Sequence, residues 1–496
     1  MAVAKVCGME TEYGIALRGT QQVANPIVAS SLLINAYLKD LKKVSWDFED
    51  ESPGVDARGF SRDTSQFAEV ESSLVNAVLT NGARYYVDHA HPEISTPECT
   101  NALDVVRFDR AGEKILTHSI QVANSSFSNG EFLVVYKNNS DRKGNSYGTH
   151  ENYLMDRKLA FSRLAREIMP HLITRQIYTG AGKVGIEIPV DNVKVDFQLT
   201  QRADFFEEPI GLETTLKRPI VNTRDEPHAD VEKYRRLHVI VGDANLSEVS
   251  NYLKIGVTSL VLSMIEDDYM PNQDLTLLNP VEALKKVSWD ITLGQPLELE
   301  AGGTITALDL QWELYTSATK YAENSALDSI GGYQVGIEIL HKWEEILHGL
   351  ENDPMELSNQ LDWVAKYQLI EGYRQRHGLT WSDDRLAAMD LQYHDMRPEK
   401  SLFARLPMKK LVDEESVIDA MTNPPTDTRA YFRGRCLQKW PSAVVAANWD
   451  SLVFDLGEDP LRKIPMMEPL KGTAAHVDNL LESCSTPADL LDKLGS

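Results

Sequence analysis

The chain has 496 residues, 42% of them hydrophobic and 25% charged, with 50 Lys and Arg against 74 Asp and Glu for a formal charge of −24. Such values belong to a folded globular protein and exclude disordered, collagenous and fibrous classes. The acidic balance speaks against general binding to nucleic-acid phosphates or anionic lipid, so an anionic ligand must meet a local cationic patch or a metal ion.

Val3 to Gly14 reads as a strand ending in the alternating run Glu10-Thr11-Glu12-Tyr13, and Ile27 to Leu41 as a helix. Met1 to Gly8 has one lysine and lacks the apolar core of a signal peptide. Residues 47–72 are acidic, punctuated by Gly and Ser, and weakly periodic, which predicts a long surface loop. Strands are expected over Ala83 to Val87, Phe132 to Tyr136 and Leu237 to Val241, and a helix over Phe161 to Met169 stopped by Pro170. The clearest helix is Glu248 to Ile265, with apolar residues three and four apart; others fit Leu308 to Tyr321, Gln334 to Leu347 and Leu361 to Arg374. The apolar stretch Ile255 to Ile265 is far below the roughly 20 residues that cross a bilayer, so no membrane span and a cytoplasmic location are expected. Thr422-Asn423-Pro424-Pro425-Thr426-Asp427 breaks helical structure and marks a domain boundary, giving 1–425 and a small C-terminal domain of 426–496. Leu41-Lys42-Lys43-Val44-Ser45-Trp46-Asp47 recurs as Leu284 to Asp290 without matching flanks, suggesting two similar local turns and not a solenoid. Cys7, Cys99, Cys436 and Cys484 lie far apart in sequence and read as reduced, buried thiols.

Strand residues two apart share a face, so Glu10 and Glu12 can present both carboxylates to one hard cation such as magnesium. The densest cluster runs from Asn81 to Glu98. If the strand continues to Asp88, then Arg84, Tyr86 and Asp88 share a face, Arg84 suits phosphate, Glu93 can complete a metal site with Glu10, and Asp88 can serve as base or nucleophile. His150 lies in a second polar cluster, and a third holds Arg218, Arg224, Arg235 and Arg236, candidates for phosphate or carboxylate contacts. Thr179-Gly180-Ala181-Gly182-Lys183-Val184 lacks the leading Gly and the closing Ser/Thr of a P-loop and is set aside. His89-Ala90-His91, with His150, His228 and His238, leaves a zinc-dependent amidohydrolase open as a rival reading.

Gly8 to Gly14, Asn81 to Glu98, Ser146 to Tyr153, Asn222 to Asn245 and Asn423 to Gly434 together resemble the Pup ligase and depupylase family, relatives of glutamine synthetase and other carboxylate-amine ligases. The resemblance covers nearly the whole chain. Asp88-His89-Ala90-His91-Pro92-Glu93, Gly211 to Thr215 and the acidic segment Phe48 to Ser72 resemble the depupylase branch.

The resemblance implies an α+β fold, in which a large glutamine synthetase-like domain with a curved, mostly antiparallel sheet backed by helices precedes a small C-terminal domain. It implies ATP, or ADP plus phosphate, and Mg2+ as cofactors. Glu10, Tyr86 and Glu93 match metal-binding positions, with His150 and His238 near the metal or phosphates, and Glu12 fits the same edge. Arg84 and Thr96 match nucleotide contacts, Arg218 joins the nucleotide-binding set, and Trp449 would border the adenine. Asp88 matches the catalytic aspartate. The implied reactions are hydrolysis of the C-terminal glutamine carboxamide of the small protein Pup and cleavage of the isopeptide bond joining Pup to a substrate lysine. Pup and pupylated proteins are then the partners, with a link to the proteasomal ATPase pathway, and nucleotide is required without stoichiometric consumption. Either Asp88 attacks the carbonyl or activates water, or a phosphate retained beside ADP is the nucleophile. Pup ligation and a nucleotide-binding adaptor without catalysis are the alternatives.

Overall fold

Alternate residues of a strand face opposite ways. In Cys7–Glu12 (β1), Cys7 and Met9 therefore enter the main apolar core while Gly8, Glu10 and Glu12 line the opposite face. The computed structural model describes residues 1–19, 25–39, 41–49, 51–62, 74–128, 130–190, 193–457 and 459–495. Within it β1 sits inside a ten-stranded sheet.

The strands that matter to the site are Gly14–Arg18 (β2), Val44–Trp46 (β3), Asn76–Val78 (β4), Arg84–Asp88 (β5), His91–Ser95 (β6), Phe132–Tyr136 (β7), Thr149–Asp156 (β8), Tyr234–Val239 (β9), Val444–Ala447 (β10), Ser451–Phe454 (β11) and Arg462–Pro465 (β12). The sheet order is β9-β8-β1-β6-β5-β4-β3-β10-β11-β12, and β2 pairs with β7 outside it. Every neighbouring pair in the ten-stranded sheet is antiparallel except β3 with β10. The sheet curls into a half-barrel, so the expected curved, mostly antiparallel sheet is present.

Helices cover one face of the sheet. The central one, Glu248–Glu266, begins at Ser247, whose hydroxyl accepts the Ser250 N–H at 3.1 Å, and is buried along its length up to Ile265. A helix buried on all sides needs apolar neighbours all round; Phe161–Thr174, Ala307–Asn324 and Tyr333–Asn352 pack on it or on one another within the same core. The four cysteines are buried free thiols. No helix among the described residues is long and apolar enough to cross a membrane.

Four local expectations need correction or completion. The strand expected over Val3 to Gly14 divides at Tyr13, whose N–H donates to Pro92 O at 3.0 Å, and the chain then leaves the main sheet to form β2. The helix starting at Phe161 runs through Pro170 to Thr174. Pro170 removes a backbone hydrogen bond at a cost of about 3 kcal/mol. Leu164, Ile168, Leu172 and Ile173, all fully buried, lie on both sides of it, and burial at about 1.5–3 kcal/mol each outweighs that loss. The repeated heptapeptide adopts two structures: Val44–Trp46 is a strand, whereas Leu284 to Trp289 is helical, burying Leu284, Val287 and Ser288 at helical spacing. Tertiary packing, and not the local sequence, decides between them. Within the acidic segment, residues 51–62 are tied to the body through Ala57 N–H to Thr223 O at 2.8 Å and Asp225 N–H to Val55 O at 2.9 Å; residues 63–72 lie outside the described set.

The C-terminal strands join the sheet through β3, and Phe432, Leu437, Trp440 and Phe454 form a separate apolar cluster that includes Val44, Trp46 and Val78. Glu98 clamps this tail to the body. Its Oε1 accepts from Arg429 Nε at 2.7 Å, its other oxygen accepts from Arg433 Nη2, and Arg433 also donates to Gly82 O at 3.0 Å. Burial alone would raise the Glu98 carboxyl, but the Arg433 and Arg429 guanidiniums outweigh it and hold it down to about 2. A depressed folded-state value contributes stability above the unfolded value near 4.5 that disappears as pH falls toward 2. We therefore expect Glu98→Gln to cost about 3–5 kcal/mol at pH 7 by leaving two buried guanidiniums without a carboxylate. The gap between wild type and variant should shrink by about 3 kcal/mol between pH 5 and pH 2 in denaturant titrations, and a pH-independent gap would contradict the ion-pair explanation.

Candidate active site

The antiparallel register assembles the concave face of the sheet. Glu10 lies opposite His150 across β1 and β8, Glu12 opposite Glu93 across β1 and β6, Tyr86 opposite Glu93 across β5 and β6, and Asn152 opposite His238 across β8 and β9. Opposed residues on neighbouring strands bring their side chains within contact distance. Residues separated by up to 228 positions in sequence, Glu10 and His238, thus meet on one surface, and with His150 they present ligand atoms within 4.8 Å of one another. Glu12, Asp88 and Glu93 form a second such set.

Hydrogen bonds fix the nitrogen atoms of the first set. Asn152 Nδ2 donates to Glu10 Oε1 at 2.9 Å, which directs Asn152 Oδ1 toward Arg236 Nη1 at 3.2 Å and His238 Nδ1 at 3.0 Å. Because Oδ1 only accepts, His238 carries its proton on Nδ1. Its buried Nε2 then offers a lone pair with no hydrogen-bond partner among the described residues. Burial opposes ionisation of Glu10, but the approach of His150 at 3.5 Å and of the Arg236 guanidinium at 4.0 Å holds its carboxyl well below the usual carboxylate range. His150 also reaches Glu12 at 3.6 Å and so links the two sets.

The second set is crowded with negative charge. Burial, then Asp88, Glu12 and Glu10, push the Glu93 carboxyl well above its ordinary value, although Tyr86 Oη donates to Glu93 Oε1 at 2.5 Å. Asp88 behaves oppositely: burial favours its neutral form, but His89 Nδ1 at 2.8 Å from Oδ2, together with the His150 and Arg84 charges, outweighs burial and holds its carboxyl below the ordinary value. Oxygen donors converging with mutual repulsion, beside an unpartnered imidazole nitrogen, are the donor chemistry a divalent cation relieves.

A pocket opens beside the Glu10 set, lined by Gly8, Glu10, Thr96, Arg236 and Trp449 among others. Thr96 Oγ1 accepts the Met9 N–H at 3.1 Å, and a Cβ at Gly8 would sit 3.0 Å from that oxygen, so only glycine leaves this part of the wall open. Trp449 stands edge-to-face with Trp46 at 5.2 Å between centroids. The Arg84 guanidinium lies 4.0 Å from the Trp46 ring centre and 3.9 Å from that of Tyr86, with Nε donating to Asn76 Oδ1 at 3.0 Å. Among the described residues it makes no ion pair within 4.0 Å, though its charge acts on the Asp88 carboxylate.

The sequence-derived residues Glu10, Glu12, Arg84, Tyr86, Asp88, Glu93, His150 and His238 therefore share one face, Thr96 and Trp449 line its pocket, and Arg218 approaches the Glu12 end. Arg218 donates to Thr214 O at 2.9 Å and Ser146 O at 2.6 Å, and burial lowers its pKa. Arg235 does not belong: it pairs with Asp225 at 3.4 Å and with Leu159 O at 2.9 Å. His89 and His91 pair with Asp88 and Glu12 and join no converging set of three metal ligands among the described residues. The P-loop-like segment is buried, and Lys183 pairs with Glu187.

Arg202 was not evident from the sequence. It is 1% exposed, donates to Ser146 Oγ at 3.2 Å and to Ile240 O and Gly242 O, and burial together with Arg218 brings its pKa down to about 10. A Cβ at Gly148 would lie 2.8 Å from its Cδ, so that glycine makes room for it. Arg202 simply follows the uncharged run Phe197 to Gln201, and no spacing in that segment marks it as buried.

The family model described as Pup-ligase protein matches residues 5–453. A depupylase of Acidothermus cellulolyticus is 51% identical, and a Pup deamidase/depupylase of Mycolicibacterium smegmatis 47% identical, each alignment covering 99% of both chains. Among solved structures, the complex of prokaryotic ubiquitin-like protein Pup with its ligase PafA superposes with a TM-score of 0.80 at 32% identity, over 99% of this chain and 94% of that one. The Pup ligase PafA in complex with ADP gives 0.74 at 33% identity, over 88% and 98%. With its sheet, its concave row of ligands and these likenesses over its whole length, the chain belongs to the Pup ligase family.

Proposed function

We propose that this enzyme is a nucleotide-dependent hydrolase that deamidates the C-terminal glutamine of Pup and releases Pup from the lysines of pupylated proteins. The observation that carries the reading is an Asp88 held below the ordinary carboxylate range at the end of a carboxylate row whose other end borders the pocket lined by Gly8, Thr96 and Trp449. Identities of 51% and 47% to relatives named for depupylation, against 38% to a relative named Pup–protein ligase, favour hydrolysis over ligation. The ADP in a related structure supports nucleotide as cofactor, and the donor sets support Mg2+ with it. Glu10, His150 and His238 would hold one edge of the cation, Glu12, Tyr86 and Glu93 the other. Thr96 and Trp449 would border the nucleoside, and Arg84 and Arg218 would contact phosphate. Residues 1–425 form the catalytic domain in this reading and 426–496 a small domain packed around an apolar cluster shared with Val44, Trp46 and Val78. The cytoplasm, where thiols stay reduced, suits its four buried cysteines.

A divalent cation held by Glu10, Glu12, Glu93, His150 and His238 would supply Lewis acidity toward a carbonyl oxygen. The protein's own groups do the rest. Asp88 serves as nucleophile or as base toward water, and either role requires the carboxylate form that the structure favours. Tyr86 holds Glu93 in place through its phenol, and Asn152 orients Glu10 and His238. Arg202 and Arg218, cations without carboxylate partners among the described residues, offer positive charge near Glu12.

The test is incubation with ATP, Mg2+ and a Pup-protein conjugate. Release of free Pup, together with conversion of a terminal glutamine to glutamate by mass spectrometry, is the expected result. Conjugation of Pup ending in glutamate would establish a ligase instead, and binding without turnover an adaptor.

A further inference from the structure

We infer that His89 is a positioning residue for Asp88: its imidazole holds one carboxylate oxygen so that the other is presented to the scissile amide. The inference rests on the reading of Asp88 as the reacting carboxylate. Strands β5 and β6 pair through Asp88 and His91, leaving only His89 and Ala90 to make the turn. The first residue of so tight a turn commonly takes a positive φ, and His89 does, at +50°. Glycine meets that requirement without strain, and asparagine tolerates it well. A histidine side chain at such a position therefore needs a reason other than backbone geometry. Core packing is not the reason, because the side chain is 55% exposed while that of Asp88 is 22% exposed.

The contact supplies one. His89 Nδ1 lies 2.8 Å from Asp88 Oδ2, within range of a charge-assisted hydrogen bond. Asp88 itself stands at the last position of β5, where the ladder with β6 ends and no further strand residues brace it. A carboxylate at a strand terminus rotates freely about χ2 unless something grips one oxygen, and reactivity falls steeply when a reacting group is misplaced by about 1 Å. The neighbouring carboxylate shows a parallel arrangement: His91 Nδ1 lies 3.3 Å from Glu12 Oε2, and the His91 ring packs on Tyr147 at 4.3 Å. His89 in the turn and His91 at the start of β6 thus each attend a different carboxylate of the site.

The turn geometry permits a clean test. H89G keeps the positive φ and removes the donor; H89N keeps the φ and returns a short N–H donor. Both variants, with wild type and D88N, are assayed for kcat and KM of Pup release from a conjugate, for affinity toward a fluorescent ADP analogue, and for melting temperature. We expect H89G to lose about 10- to 100-fold in kcat with KM and ADP affinity changed less than about twofold, and H89N to recover most of the loss. The inference is overturned if H89G retains kcat within about twofold of wild type, if H89N is as impaired as H89G, or if the loss falls in KM or ADP affinity. A D88N variant that still turns over would sink the reading of Asp88 itself, whereas an inactive D88N beside a fully active H89G would sink only the role of His89.

Discussion

Asp88→Asn should lower Pup release by about 10³-fold or more while leaving nucleotide affinity within a few-fold of wild type. The expectation follows from where the side chain sits. Asp88 belongs to the set with Glu12 and Glu93, away from the pocket lined by Gly8, Thr96 and Trp449, so an isosteric neutral group there does not touch the nucleotide wall. It does remove a carboxylate that the surroundings hold below its ordinary value beside another, Glu93, that they push toward the neutral form. Nucleophilic attack and base catalysis both need that charge, so the variant fails on either route. Rapid-quench measurement of Pup release, together with ADP titration, separates the two effects. Retained turnover would move the chemistry elsewhere on the sheet.

Glu10→Gln should fail in the opposite way, by weakening binding before chemistry. Glu10 is the carboxylate at which Asn152, His150 and Arg236 converge, and it is held ionised despite burial. An amide there keeps the size but loses the charge that a hard cation requires, and it leaves the Arg236 guanidinium without its neighbouring anion. We expect affinity for Mg2+ and ADP together to fall by about 100-fold or more, with binding of ADP alone less affected. Calorimetric titration with and without Mg2+ reads this directly. Equal losses in both conditions would mean that Glu10 acts on the nucleotide and not through a cation.

Much of this site was legible from period-two reading of short segments. Glu10 with Glu12, and Arg84 with Tyr86 and Asp88, share faces because side chains alternate along a strand, and the structure bears out both groupings. The family resemblance added Thr96 and Trp449 and joined His150 and His238, already singled out as possible ligands, to Glu10, to which no local pattern links them. Their meeting depends on register, which is set by hydrogen bonding between strands distant in sequence. Arg202 escaped for a related reason. Nothing in its own segment tells a buried cation from a surface one; its role emerges only where Gly148, Ser146 and Gly242 surround it. The fold itself was read least well where tertiary burial overrules local preference, as at Pro170 and in the twice-used heptapeptide.

If the carboxylates of β1 and β6 hold one cation and nucleotide beside Asp88, crystals grown with Mn2+ and ADP will show it by anomalous scattering. The expected result is a manganese peak coordinated by Glu10 with ligands from the Glu12 and Glu93 side, and ADP in the pocket bordered by Thr96 and Trp449. A peak bound elsewhere, or ADP ordered in a different cleft with this row of carboxylates left bare, would contradict it.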